Sequence, residues 1–234
     1  MKIQLVTIIT ALSLPLALKA QVHFTGAIGG GLSFVEAKNF GIQFDPIVRP
    51  NASVFTTVPI TKFISFEAGL GYYMKGYTLG NSWNNGDVTS VLKAKYNLQY
   101  VSIPLMASFR VYHNARNTQL WADAGMNYDL YVHGTLTYNT TNYRNNDEIS
   151  SITVTDKVTG RFGPSKYTKS PTYYDVTGLD AAWKVQLRYI YHDRYTLMLY
   201  YMSSLYDIRA TTGDDANTKI KARYFGLSVG YNIF

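Results

Sequence analysis

From residue 23 onward, large apolar residues recur at every second position, and the positions between them are small, polar or charged. The stretch RYFGLSVGYNIF at 223–234 shows this most cleanly. Phe225, Leu227, Val229, Tyr231 and Ile233 fall on one face, and Tyr224, Gly226, Ser228, Gly230 and Asn232 fall on the other. A period of two is that of a β-strand with two unlike faces. Eight such segments are read, at 23–34, 47–58, 63–79, 95–112, 118–135, 179–192, 195–209 and 223–234. In the third, Ile64, Phe66, Ala68, Leu70, Tyr72 and Met74 oppose Ser65, Glu67, Gly69, Gly71, Tyr73 and Lys75. In the fourth, Val101, Ile103, Leu105, Ala107 and Phe109 oppose Ser102, Pro104, Met106, Ser108 and Arg110. In the fifth, Leu120, Ala122, Ala124 and Met126 oppose Trp121, Asp123, Gly125 and Asn127. In the sixth, Trp183, Val185, Leu187, Tyr189 and Tyr191 oppose Lys184, Gln186 and Arg188.

The connections between these segments take turns in length. Those at 59–62, 113–117 and 192–194 are short, and those at 35–46, 80–94, 136–178 and 210–219 are long. Tight turns at one end and long loops at the other are the layout of a barrel in an outer membrane. A soluble ligand-carrying barrel would also have eight antiparallel strands, but its interior would be apolar. Here one phase carries Glu67, Lys75, Arg110, Asp123, Lys184 and Arg188, and the other carries the large apolar groups. Polar inside and apolar outside is the arrangement suited to lipid, and closure satisfies every backbone group where no water can. The expected fold is all-β, an eight-stranded antiparallel up-and-down transmembrane β-barrel.

The start of the chain, MKIQLVTIITALSLPLALKAQ, has a basic Lys2, an apolar core over about residues 3–18, and Ala20 where a small residue is needed for cleavage. It reads as a secretory signal over 1–20, followed by the barrel over 21–234. Cleavage removes Lys2 and Lys19 and no acid, lowering the formal net charge from +7 to +5. No mature stretch is apolar enough for a membrane helix. The chain has no cysteine, so neither disulfides nor thiolate sites are available.

The strand YVSIPLMASFR at 100–110, the eight-strand layout and the closing GLSVGYNIF resemble the PorT-like outer-membrane β-barrel domain family of Gram-negative bacteria. The resemblance spans the mature chain. It implies a role as an accessory to a secretion or assembly complex of the envelope. Such barrels place a final aromatic in phase with the apolar face; here Ile233 is in phase and Phe234 stands one step past it. The row Phe225, Leu227, Val229, Tyr231, Ile233 with Phe234 is read as the insertion signal for the barrel assembly machinery.

Glycines in GAIGGGLSF and EAGLGYYMKG do not follow a nucleotide-binding pattern, because Met74 occupies the place of the last glycine and neither stretch opens a helix. They read as space-makers inside a narrow barrel. Of His23, His113, His133 and His192, only His133 lies toward the outer rim, where with Asp129 it is the sole candidate for a lipid A-modifying centre. No histidine pair has metal-ligand spacing on a shared face. No catalytic, cofactor or metal residues are assigned. The six inward charges are expected to form a paired network, since an unpaired charge in so narrow an interior is costly.

Tyrosine is unusually common, at 21 residues. Tyr72, Tyr77, Tyr96, Tyr128, Tyr131, Tyr189, Tyr191, Tyr195, Tyr201 and Tyr231 are read as girdles at the membrane boundaries. The basic balance points to lipid phosphates at the outer rim, through Lys219, Lys221 and Arg223, and not to nucleic acid. The connection at 136–178 far exceeds ordinary loop lengths. Its Asn, Thr, Tyr and Ser content suits an external contact surface, with Tyr138, Tyr143, Arg144, Tyr167, Tyr173 and Tyr174 as contact candidates and ISSITVT as a strand extension. The expected function is a non-enzymatic structural or interaction role in the outer membrane, among outer-membrane lipid and lipopolysaccharide, the assembly machinery and an envelope protein complex. A surface ligand-binding protein or adhesin, and a lipid A-modifying enzyme, are the alternatives.

Overall fold

The computed structural model describes residues 22–37, 43–114, 118–161, 176–207 and 220–233. The residues read as a signal peptide therefore lie outside the described residues, as do Phe234, Tyr167, Tyr173, Tyr174 and Lys219.

Among the described residues twelve strands are formed: β1 (His23–Ala37), β2 (Gln43–Asp45), β3 (Ile47–Pro59), β4 (Ile64–Asn85), β5 (Val88–Asn114), β6 (Thr118–Arg144), β7 (Asp147–Lys157), β8 (Gly160–Arg161), β9 (Val176–Thr177), β10 (Leu179–Tyr191), β11 (Tyr195–Ser204) and β12 (Ile220–Asn232). Eight of them pair in the ring β1–β3–β4–β5–β6–β10–β11–β12, and β12 returns to β1 in antiparallel register from Thr25↔Asn232 to Ala37↔Ile220. Closure leaves no lateral edge on the ring, as a structure in lipid requires. The outward phase is the apolar one: Ile28, Val54, Leu70, Ile103, Leu187 and Leu227 are all exposed. Tyr72 and Tyr128 stand at one border of this belt, and Tyr189, Tyr191, Tyr195 and Tyr231 at the other, also exposed.

Two of the expected long connections are mostly strand. The segment 80–94 is a hairpin extension in which β4 and β5 stay paired to Asn85↔Val88, with only Gly86 and Asp87 between them. Gly86 has φ +64°, a conformation that costs glycine nothing. Likewise β6 continues to Arg144 and pairs with β7, which contains the whole of ISSITVT. Its turn residues Asn145 and Asn146 have φ of 52° and 70°. Asparagine tolerates the left-handed region better than most side chains, and a two-residue turn of this kind matches strand twist. The asymmetry between barrel ends is thus carried by strand length. In the other direction, the segment expected at 195–209 ends as strand at Ser204.

The extensions change what some aromatics do. Tyr77 and Tyr96, read as girdle residues, are only 4% exposed and stack on each other with centroids 4.6 Å apart. With Leu98, Tyr100, Leu136, Val158 and Val176 they form an apolar core at the hairpin end. Tyr131, also read as girdle, is half-buried and donates its hydroxyl to the Val158 carbonyl at 2.6 Å. The mouth needs its own core because strands that outrun the bilayer lose lipid as a partner for their apolar residues.

A β-bulge explains a change of phase in β6. Gln99 pairs with His133 but Tyr100 pairs with Tyr131, leaving Val132 unmatched. Below the bulge the odd residues Trp121, Asp123, Asn127 and Asp129 are buried, and above it the even residues Gly134 and Leu136 are. An inserted residue moves every later side chain to the opposite face.

Candidate functional site

The inward phase converges on a charged barrel interior. Near the end closed by the short turns, Arg188 of β10 reaches across the lumen. Its guanidinium lies 2.5 Å from the Glu67 carboxylate of β4 and 3.2 Å from Asp123 of β6. It also donates to Thr57 and Ser108, each at 3.2 Å, while Gln186 donates to Asp123 at 2.9 Å. The Glu67 contact is charge against charge, without an aligned hydrogen bond to that carboxylate. Arg110 sits lower, half-buried, with its guanidinium 4.9 Å above the Trp121 ring. A cavity of about 300 Å³ opens at this end, lined by Thr57, Ser65, Arg110, Gln119, Trp121 and Arg188.

A second cluster lies toward the hairpin end. Lys75 of β4 makes an ion pair and hydrogen bond with Asp129 of β6, and lies 3.5 Å from Asp180 of β10. Asp129 also accepts from Ser102 and, at 2.5 Å, from Asn127. Asp180 accepts from Ser204 at 2.5 Å. Between the clusters stands Lys184, 1% exposed, its ammonium 4.8 Å from the Tyr200 ring and 5.3 Å from the Phe55 ring. It has no hydrogen-bond partner among the described residues. The aromatic packing around it is dense: Tyr200 and Tyr224 stack at 5.9 Å, and Tyr73 meets both edge-on. Gly226 makes this possible, because a Cβ there would fall 2.3 Å from the Tyr200 ring.

Among the described residues, the buried cations Lys75, Lys184 and Arg188, with Arg110 at the short-turn end, thus face the carboxylates Glu67, Asp123, Asp129 and Asp180 in one interior. The balance matters because an uncompensated charge in such a space costs several kcal/mol. The arrangement braces the barrel across its lumen, tying β3, β4, β5, β6, β10 and β11 together. Five of the six charges read from the sequence are deeply buried, and Arg110 is half-buried at the short-turn end. The expected pairing holds for Lys75 and Arg188 but not for Lys184, whose neighbours are rings. Asp129 and Asp180 went unassigned as interior charges. The signal was present, since Asp129 shares parity with Asp123 on one strand and Asp180 with Lys184 on another.

Other candidates are placed differently. His133 and Asp129 do not share a face: the bulge at Val132 puts His133 on the outward phase, while Asp129 is fully buried against Lys75. Among the described residues no cluster of histidine and carboxylate groups suits a metal ion. Phe225, Leu227, Val229 and Tyr231 are exposed on β12, and Ile233 donates its amide to the Phe24 carbonyl at 2.7 Å. Tyr138 donates to Asp156 at 3.3 Å, and Tyr143 and Arg144 lie at the tip of the β6–β7 hairpin, opposite Glu148 and Asp147. At the rim of β12, Arg223 is ion-paired with Glu36, which also faces Lys221.

Several solved outer-membrane proteins are similar to this chain at low identity. The attachment invasion locus protein Ail of Yersinia pestis is 11% identical with a TM-score of 0.41, covering 90% of this chain and 98% of that one. The outer membrane protein OprG of Pseudomonas aeruginosa is 11% identical with a TM-score of 0.40, covering 89% and 95%. Neisserial surface protein A is 8% identical with a TM-score of 0.35, covering 89% and 96%. No curated protein matches the chain. The family model for the outer membrane protein beta-barrel domain matches residues 15–209. With its closed eight-strand ring, apolar outer belt and charged interior, the chain belongs to the outer membrane protein beta-barrel domain family and resides in the cell outer membrane.

Proposed function

We propose that this protein is a non-enzymatic outer-membrane barrel with a structural or interaction role, and that its working surface is the hairpin end. The observation that carries this reading is the pair of hairpins, β4–β5 and β6–β7, which continue as one sheet beyond the apolar belt to the tips at Gly86–Asp87 and Asn145–Asn146. Lys75 and Arg188 are ion-paired across the lumen and Lys184 is packed among rings, which favours a scaffold over a transport path. In such barrels the short turns face the periplasm, so the hairpins face outward. The likeness of YVSIPLMASFR and GLSVGYNIF to PorT-like barrels supports a finer role as accessory to a secretion or assembly complex. Its surroundings are outer-membrane lipid and lipopolysaccharide, and the outward row of β12 serves the assembly machinery during insertion. The exposed tip with Tyr143 and Arg144 supports a second reading, a surface ligand-binding protein or adhesin.

The test compares affinity-purified complexes from native membranes for the intact protein and for a variant in which residues 81–92 are replaced by a two-residue turn. Both should shift in gel mobility on boiling, as closed barrels do. Loss of a co-purifying envelope protein from the trimmed variant alone supports the accessory role. Binding of a host or matrix component lost on trimming supports the adhesin reading. Altered lipid A in a deletion strain would refute the non-enzymatic reading.

A further inference from the structure

Above the belt, the outward phase of β5 carries Lys93 and Lys95, both exposed, with buried Ala94 and Tyr96 on the inward phase. Lys157 of β7 joins the same face, because its cross-strand partner Thr135 alternates with buried Gly134 and Leu136. Between the lysines runs a polar ladder. Thr137 and Thr155 share a hydrogen bond at 3.1 Å, and Asn139 donates to Thr153 at 2.8 Å and to Ser151 at 3.3 Å. Directly below, Val101, Ile103, Leu130 and Val132 begin the exposed apolar belt.

Among the described residues the acid that shares this face is Asp45 of β2, which pairs with Thr78, the β4 partner of Lys95, and so stands two strands from that lysine; β4, β5 and β6 place none beside the lysines. β5 has none in its sequence, the single acid of β4 is Glu67, and those of β6 are Asp123 and Asp129, all turned inward. Asp156 of β7 pairs with Leu136 and so lies on the opposite phase, and Asp147 and Glu148 are out at the hairpin tip. The basic rim on β12 is different, since Glu36 already engages Arg223 there. Sequence reading favoured that rim; the cross-strand register favours the β5–β7 face.

The geometry points to a lipopolysaccharide site formed by Lys93, Lys95 and Lys157 on this face. The partner must present phosphate at the level of the ammonium groups, sugar hydroxyls beside the Thr and Asn ladder, and acyl chains against Val101 and Leu130. A molecule anchored in the same outer leaflet presents all three at once, whereas a soluble polyanion would not use the belt. Lysine suits the task as a compact charge that needs no bidentate geometry. The inference rests on the proposed association with lipopolysaccharide and names where it occurs.

The full mature protein in detergent is titrated with lipopolysaccharide and, separately, with phosphatidylglycerol micelles. The variants are the triple Lys93→Gln, Lys95→Gln, Lys157→Gln and, as control, Lys62→Gln at the opposite end. Lysines near a charged lipid surface each add to the attraction, so the triple variant should bind lipopolysaccharide at least about tenfold more weakly. Its gel shift on boiling should persist, the control should bind as wild type, and phosphatidylglycerol should bind more weakly than lipopolysaccharide. Wild-type-like lipopolysaccharide binding by a folded triple variant overturns the site and leaves the association standing. Equal preference for phosphatidylglycerol overturns the assignment to lipopolysaccharide. Absence of binding by the wild type overturns the association itself.

Discussion

The guanidinium of Arg188 on β10 lies 2.5 Å from the carboxylate of Glu67 on β4, spanning a lumen whose wall between them is made by β5 and β6. Both side chains are buried. The pair therefore acts as a strut within a closed ring, and its value depends on both ends being present. Glu67→Ala should destabilise the folded barrel by about 3–5 kcal/mol, because it leaves Arg188 with Asp123 as its one remaining carboxylate. The triple variant Glu67→Leu, Arg188→Met, Asp123→Asn should recover most of that loss, because Arg188→Met would otherwise leave Asp123 without its ion-pair partner. Urea unfolding in detergent, followed by the gel shift, measures both; a triple variant no better than the single would show that the strut is not a coupled unit.

Lys75 and Lys184 are both buried cations, yet they should respond differently to removal. Lys75→Met strips Asp129 and Asp180 of their shared counter-charge and should cost about 3–5 kcal/mol. Lys184 touches the rings of Phe55 and Tyr200 and satisfies no hydrogen bond. Lys184→Met keeps the volume, removes the desolvation cost of a buried ammonium, and forfeits a cation–π contact of about 2 kcal/mol together with a longer-range attraction to Glu67 and Asp123, each of which keeps Arg188 as its direct partner. Its effect should be under about 2 kcal/mol. The order of unfolding midpoints decides: Lys184→Met falling at or below Lys75→Met contradicts the assignment of partners.

On the outer wall, Leu105 is exposed between Ala68 and Met126 on the neighbouring strands, whereas Met106 beside it is 1% exposed. Leu105→Arg should cost roughly 2–4 kcal/mol if near the bilayer midplane, and the penalty should shrink in a detergent that lets the side chain reach water. Met106→Arg should fail equally in lipid and detergent, since it adds a cation to a filled interior opposite Glu67. Equal tolerance of Leu105→Arg in both media would mean that β5 is phased incorrectly.

The outward row of β12 offers a kinetic test. Val229 lies between Ile28 of β1 and Leu197 of β11 across the closing seam. Val229→Asp should lower the yield of inserted barrel several-fold and leave export to the periplasm unchanged, because an acid on the seam is unfavourable both to lipid and to strand capture. Fractionation with immunoblotting reads the two steps separately. Unchanged insertion would remove this row from the recognition signal.

Alternation by itself determined which residues of Ile64–Lys75, Val101–Phe109 and Trp183–Tyr191 face lipid, because side-chain direction in a strand is set by the residue's own backbone and needs no knowledge of the partner strand. The same local rule carried the barrel class and the inward placement of Glu67, Lys75, Asp123, Lys184 and Arg188. It also held Asp129 and Asp180, whose parity with Asp123 and Lys184 was legible. What alternation cannot supply is pairing, because register depends on stagger between strands far apart in sequence. Only the closed ring decided that Lys75 meets Asp129 and Asp180, that Arg188 meets Glu67, and that Lys184 is left among rings. The bulge at Val132 is likewise invisible from one strand alone, since an extra residue is defined only against the partner it fails to match. It separates His133 from Asp129 and turns Leu136 into the mouth. The extension of β4 and β5 to Asn85 and Val88, and of β6 into a hairpin with β7, was hidden by polar side chains that resemble a loop. There the strands are held by backbone hydrogen bonds to each other, and a sequence of Asn, Thr and Ser satisfies those as well as valine does.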